Sequence, residues 1–380
     1  MPYSRLLRML ASCASLTPSD TLTRYIIRFE NAREYSRFLR QWNASKLPAN
    51  LKACVRKLQL IHAICFKGRN LPFTRWKGVR FIERDVRIHT HTHGARDSAG
   101  RPEHIPWGVR RIRAPKAWKY ATGQMVKVAV IDTGVDFNHP DLKHALAHGV
   151  NLLQRGTLPW DDNGHGTHIS GTIAAAAAGS QGIWGTAPGT VIVPVKAFDR
   201  NGTAYISDII EGIEWCMRHG IRLINMSFGM KHSSRAFREA VRNASRRGAI
   251  IVASAGNDGK RKGRLDYPAQ YPAAIAVGST ARKGRIAHFS NRSGRVQLYA
   301  PGKKIMSTWL NKGYAVLSGT SMSTSHVSGA IALALSVNPQ LSAKRIRKLI
   351  YKTGRPLNGK RTGGMREVDA FRLIRALVRE

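Results

Sequence analysis

The chain has 380 residues, with 62 Lys or Arg against 22 Asp or Glu, a formal net charge of +40. The length suits one large domain plus a smaller one, and no apolar stretch is long enough for a helix to cross a membrane. The charge attracts polyanions, but no nucleic-acid fold motif accompanies it. Specific nucleic-acid binding is therefore not expected, and the excess reads as a solvated basic surface able to associate with anionic or cell-wall polymers.

Residues 1–20 are set apart as a leader. Their apolar run, Leu6 to Leu16, is similar to an export signal but is interrupted by Arg8. Residues 24–30 alternate like a strand, and Tyr35, Phe38, Leu39 and Trp42 recur at helical spacing. Strand-like runs follow at Cys54–Leu58, Ile61–Phe66 and Gly78–Glu83, so residues 21–86 form a small α+β domain. Residues 87–104 are polar, contain Gly and Pro, and show no periodicity, which is a linker composition open to proteolysis. Its alternating His89, His91 and His93 are expected to be exposed, with metal binding as the alternative. The four cysteines, Cys13, Cys54, Cys65 and Cys216, include no CxxC pair, which excludes the common zinc and redox motifs.

From residue 105 to 380, apolar strands (Val126–Ile131, Val191–Val195, Leu223–Met226, Ala249–Ala253) alternate with helical stretches such as Ile206–Arg218 and Arg235–Arg247. That alternation predicts an α/β domain with a parallel sheet covered by helices on both faces. Functional groups in such folds gather at the C-terminal ends of strands. Asp132 follows the first strand directly. His165 and Ser321 each open a helix. A Ser hydroxyl needs a base to take its proton, an imidazole suits that task near neutrality, and a carboxylate fixes the imidazole tautomer. Asn257, past the strand that ends near Ala253, can donate to an oxyanion.

The segments Val128-Ala129-Val130-Ile131-Asp132-Thr133-Gly134, Gly164-His165-Gly166-Thr167-His168, Ala255-Gly256-Asn257 and Gly319-Thr320-Ser321-Met322 occur in this order. In them the chain resembles the subtilisin-like serine proteases, the subtilase family. The resemblance implies a subtilisin-like fold and a serine endopeptidase acting on proteins through an acyl-enzyme on Ser321. His165 is then the base, Asp132 its orienting partner and Asn257 the oxyanion donor, while His139, His168 and His326 are structural. An extended substrate would pair with Ser227, Phe228 and Gly229 on one side and with Gly202 to Ala204 on the other. The pocket for the residue before the scissile bond would be walled by Ser254 and Gly256. Asp266 would form its floor and Asp258 its rim, favouring Lys or Arg there, unless Asp266 is neutralised by Arg264 or Lys262. The Tyr267–Pro268 bond matches a position that is cis in the family.

Residues 21–86 resemble the subtilase propeptide, a ferredoxin-like folding chaperone and intramolecular inhibitor, with little chain for its second helix. Cleavage would then fall within residues 87–104, with Arg96 and Arg101 as candidate sites. No cofactor is expected for catalysis. Asp141 is retained from the family's calcium site, but the usual Asn is missing from the loop Ala174–Gln181, and acids are absent near Arg295 and Gln297, so calcium dependence is doubtful. Two departures stand out: Ser323-Thr324-Ser325 replaces the usual Ala-x-Pro, and Met230 stands where a Gly is usual. The family's habit points to a secreted or envelope-associated monomer, with an intracellular or spore-associated enzyme as the alternative. A catalytically weak pseudoprotease or polyanion-binding scaffold is the competing function.

Overall fold

The computed structural model describes residues 3–13, 23–91, 97–98, 103–259, 263–296, 298–357 and 364–379. In the small N-terminal domain, strand Thr23–Phe29 pairs antiparallel with Ala63–Gly68 on one side and Val79–Arg84 on the other. Val55–Leu58 extends the sheet beyond Ala63–Gly68. This is a ferredoxin-like strand order. Helix Ala32–Ala44 begins where the Asn31 side chain accepts the Glu34 N–H at 3.0 Å. Its Tyr35, Phe38 and Trp42 are buried with Phe29 and Phe66.

The second helix of this domain comes from an unexpected place. Residues 69–78, which join the third and fourth strands, contain no helix. Helix Ser4–Cys13 lies along that connection instead. The Arg69 N–H donates to the Cys13 carbonyl at 2.8 Å. At the other end, Gly78 (φ +78°) faces the Tyr3 hydroxyl, and a Cβ there would come within 2.2 Å of it. Tyr3, Leu6 and Leu10 are buried in the same core as Phe29 and Phe38. The segment expected to stand apart as a leader is thus partly built into the domain. Arg5 and Arg8 interrupt an apolar run but lie on the exposed face of an amphipathic helix.

The large domain is built on nine strands. In spatial order they are Arg355–Pro356, Arg366–Glu367, Leu298–Pro301, Ala274–Thr280, Ile250–Ser254, Leu223–Met226, Lys127–Asp132, Val191–Lys196 and Val150–Asn151. All neighbours are parallel except the first pair. Alternation along the central strands feeds two cores. Val128, Val130, Ile250 and Val252 pack under helices His165–Ala174 and Thr320–Val337. Ala129, Ile131, Ile224 and Ile251 pack under Ile206–Arg218 and Arg235–Arg246. Because the central strands run the same way, Asp132, Ser227 and Ser254 come side by side at one edge of the sheet.

The small domain sits on the two helices of the second core. Asp85 accepts the Ser207 N–H at 2.9 Å and the Ser207 hydroxyl at 2.6 Å, at the start of helix Ile206–Arg218. Burial pushes the Asp85 carboxyl up to about 6. Glu83 accepts the Ser234 hydroxyl at 2.5 Å and the Arg235 and Ala236 N–H groups at 3.0 and 3.1 Å, opening helix Arg235–Arg246. Carboxylates are favoured there by the positive end of the helix dipole. Ion pairs widen the contact: Arg28–Glu239 at 2.8 Å, Arg56–Asp208 at 2.7 Å and Arg24–Asp208 at 3.2 Å. Among the described residues, no helix is long and apolar enough to cross a membrane. All four cysteines are free.

Candidate active site

The strand Lys127–Asp132 delivers Asp132 to the sheet edge, fully buried. Its Oδ1 accepts the Thr133 N–H at 2.8 Å and lies 2.7 Å from His165 Nδ1. A carboxylate on Nδ1 holds that proton in place and leaves Nε2 as the basic nitrogen. His165 is set by the start of its helix. Asp161 accepts the Gly164 N–H at 2.9 Å and the Thr167 N–H at 2.9 Å, and Thr133 Oγ1 accepts the Gly166 N–H at 2.9 Å. Gly166 is indispensable, since a Cβ there would come within 2.1 Å of the Gly134 carbonyl. Lys196, nearly buried, donates to the Thr133 carbonyl at 2.6 Å and to Asp162 at 2.6 Å.

Ser321 lies in the first turn of helix Thr320–Val337 and is fully buried. Its hydroxyl lies 2.7 Å from the His91 carbonyl and 2.8 Å from the Ser227 carbonyl. His165 Nε2 has no hydrogen-bond partner among the described residues. Nucleophile and base are therefore both present but not bonded to each other while His91 occupies the site. Asn257 Oδ1 accepts the Thr320 N–H at 3.0 Å and the Thr320 hydroxyl at 2.9 Å, and Nδ2 has no partner among the described residues. A Cβ on Gly319 would be 2.5 Å from the His91 oxygen and 3.3 Å from Asn257 Nδ2, so both flank one point.

The segment expected to be an exposed linker fills the cleft. Arg87–Thr90 is a strand with Thr203–Tyr205 antiparallel on one side and Phe228–Gly229 antiparallel on the other. Ile88 faces Ala204, Thr90 faces Phe228 and its N–H donates to the Gly202 carbonyl at 3.1 Å. The His91 N–H donates to the Ser227 carbonyl at 3.2 Å. Further along, Asp97–Ser98 pairs antiparallel with Tyr314–Leu317. Linker composition misled because a strand held between two others needs no hydrophobic periodicity of its own; main-chain bonds carry it. His93, Arg96 and Arg101 lie outside the described residues.

His91 is buried, not exposed. Its ring has Nδ1 at 2.7 Å from Ser254 Oγ and Nε2 at 2.8 Å from Asp266 Oδ2. Gly229 makes room for it: a Cβ there would come within 2.2 Å of the ring. Gly256 (φ +102°) makes the same concession to Asp266. Asp266 faces the ring, and among the described residues its cationic partner is not Arg264; Lys262 lies outside the described residues. Lys231, which the sequence reading missed, donates to Asp258 and to both Asp266 oxygens, at 2.9 and 3.0 Å. Met230 pairs its backbone with Tyr267 at 3.1 and 2.9 Å, and the Tyr267–Pro268 bond is cis.

His139, His168 and His326 are fully buried. Burial pushes His168 down to about 3 and His326 to about 4, and His139 is lowered for the same reason. The unusual Ser323-Thr324-Ser325 stretch keeps the helix intact: their hydroxyls donate to the carbonyls of Ala300, Thr320 and Ser321 at 2.9, 2.8 and 3.0 Å. Asp141 Oδ1 accepts the Ala178 N–H at 2.9 Å, and Oδ2 accepts the Ile183 N–H at 2.9 Å and the Tyr314 hydroxyl at 2.8 Å. The donors converging on that carboxylate are N–H and O–H groups, which do not suit a cation that needs oxygen acceptors. Arg295 donates to the Gln270 carbonyl at 3.0 Å; Gln297 lies outside the described residues.

Comparison with known proteins agrees with this geometry. The Subtilase family model matches residues 123–368. The chain is 39% identical over 267 residues to Subtilisin Savinase of Lederbergia lenta, covering 70% of this chain and 97% of that protein. It is 37% identical over 293 residues to an alkaline protease of Alkalihalobacillus alcalophilus, covering 77% and 73%. It is 40% identical over 251 residues to the major intracellular serine protease of Bacillus subtilis (strain 168), covering 64% and 78%. The chain belongs to the subtilase family of serine endopeptidases.

Proposed function

We propose that this endopeptidase is made as a zymogen that cuts itself after His91. The observation that carries the reading is the His91 carbonyl, which lies 2.7 Å from Ser321 Oγ while the preceding strand is paired on both sides. Ser321 Oγ turns toward His165 Nε2, loses its proton to it and attacks the His91 carbonyl carbon. The oxyanion is met by Asn257 Nδ2 and the Ser321 N–H. His165 returns the proton to the leaving amine of Thr92, and water then hydrolyses the acyl-enzyme. Asp132 keeps His165 in the required tautomer throughout. Protein substrates follow the same course in the cleft that Arg87–His91 occupies.

Residues 3–91 then act as an intramolecular inhibitor. Their carboxylates Glu83 and Asp85 sit on two helix starts, and their arginines meet Asp208, Glu211 and Glu239. The test is the N-terminal sequence of the large fragment produced by the purified full chain. It is expected to begin at Thr92; a start immediately after Arg96 or Arg101 would overturn the cut after His91. The preference for Lys or Arg before the scissile bond has Asp266 in its favour and Lys231 against it.

Asp141 fixes its loop without calcium, through the three donors that converge on it. Excess EDTA is expected to leave the midpoint of thermal unfolding unchanged, whereas Tyr314→Phe should lower stability by about 1.5–3 kcal/mol, the range for a hydrogen bond to a charged group. A large fall in the midpoint on adding EDTA would count against this reading.

A further inference from the structure

We propose that the pocket before the scissile bond is built for histidine, and that the enzyme cleaves after histidine in preference to Lys, Arg, Phe or Leu. This rests on the reading that the inhibitory domain ends at His91. Both ring nitrogens of His91 find a partner at hydrogen-bond distance, Ser254 Oγ at 2.7 Å and Asp266 Oδ2 at 2.8 Å. The arrangement serves either protonation state. With a neutral ring, Nε2–H donates to Asp266 and Nδ1 accepts from Ser254. With a protonated ring, Nδ1–H donates to Ser254, whose own hydrogen goes to the Phe228 carbonyl at 3.3 Å.

The competitors fail for different reasons. A Phe or Leu side chain carries no donor, so it would leave the buried carboxylate of Asp266 and the hydroxyl of Ser254 facing hydrocarbon. Lys and Arg carry a donor but reach too far. The imidazole already stands 2.8 Å from Asp266, so a longer chain would have to displace that carboxylate. Directly behind it is Lys231, whose ammonium group holds Asp258 and both oxygens of Asp266. Asn291 Nδ2 adds a further donor to Asp266 Oδ1 at 3.5 Å. Oδ1 is thus shared by Lys231 and Asn291, while Oδ2 meets both Lys231 and the ring in the pocket. A second full positive charge would meet the half-exposed Lys231 ammonium, which already pairs with both Asp258 and Asp266. Three residues upstream, Ile88 is fully buried among Ala204 and neighbouring apolar side chains, so the test peptides keep it.

The experiment uses enzyme obtained by letting the full chain process itself, and acylated Ile-His-Thr-Xaa peptides with an amide-linked fluorophore, where Xaa is His, Lys, Arg, Phe or Leu. The His peptide is expected to exceed each of the others in kcat/KM by about tenfold or more, as expected of a site built to hydrogen-bond its substrate. In Asp266→Asn the His-to-Phe ratio should fall about tenfold. In Lys231→Ala, a change at a half-exposed side chain, the Arg and Lys peptides should gain on the His peptide. A wild-type preference for Phe, Leu, Lys or Arg overturns the proposal, as does an unchanged ranking in both variants. The two levels separate cleanly. A large fragment that does not begin at Thr92, or no fragment at all, defeats the self-processing reading. A fragment beginning at Thr92 with a different peptide ranking defeats only the histidine pocket.

Discussion

Ser321→Ala is expected to leave the chain at its full 42.1 kDa, with no fragment beginning at Thr92, and to reduce peptide hydrolysis by about 10⁶ in kcat, a magnitude taken over from the equivalent loss in subtilisin. The fold should hardly notice. The hydroxyl's single hydrogen is shared between two carbonyls, those of His91 and Ser227, and such a bond is worth about 1 kcal/mol net. A thermal midpoint close to that of the parent together with an uncut chain separates lost chemistry from lost structure. Electrophoresis and N-terminal sequencing after purification check the first, and a melting curve checks the second. A Ser321→Ala chain that still releases a fragment beginning at Thr92, at a rate independent of added active enzyme or of any co-purifying protease, would remove Ser321 from the reaction.

Asn257→Ala should reduce kcat by about 10²–10³ with little change in KM, again on the scale known for the corresponding donor in subtilisin. The reason in this chain is the division of labour within one amide. Its oxygen is taken by Thr320 twice, and its nitrogen has no partner among the described residues. Such a donor is held ready for charge that develops only during the reaction, so removing it should cost little in substrate binding. Steady-state kinetics on an Ile-His-Thr-His amide gives both parameters. A rise in KM with kcat preserved would show that Asn257 binds substrate and does not stabilise the transition state.

Much of this was legible in the sequence because it is local. Asp132, His165, Asn257 and Ser321 each sit within a few residues of a strand end or helix start, and the strand–helix alternation brings those ends together. Gly202, Ala204 and Ser227 to Gly229 lie along the strand Arg87–Thr90, Ser254 and Asp266 against the His91 ring, and Gly256 against Asp266. What stayed hidden depends on partners far along the chain. His91 meets Ser254, Asp266 and Ser321, none of them near in sequence, and nothing in a polar stretch with three alternating histidines marks one of them for burial. Lys231 was missed because a Lys beside a turn is ordinarily solvated. The first helix was missed for a different reason. Leu6 and Leu10 have the spacing of an amphipathic helix, and that signal competes with the resemblance to a leader, which reads the same leucines and treats the arginines as defects.

That first helix has a consequence for the order of synthesis. Ser4–Cys13 is made before the rest of the small domain, yet the groups it packs on, Arg69 and Gly78, are among the last parts of that domain to be made. The complete packing of the domain therefore needs the chain through its final strand, Val79–Arg84, and Arg87–His91 follows directly. The strands that will grip this tail come much later, with Thr203–Tyr205 and Phe228–Gly229. The tail that fills the cleft is thus made before either strand that pairs with it.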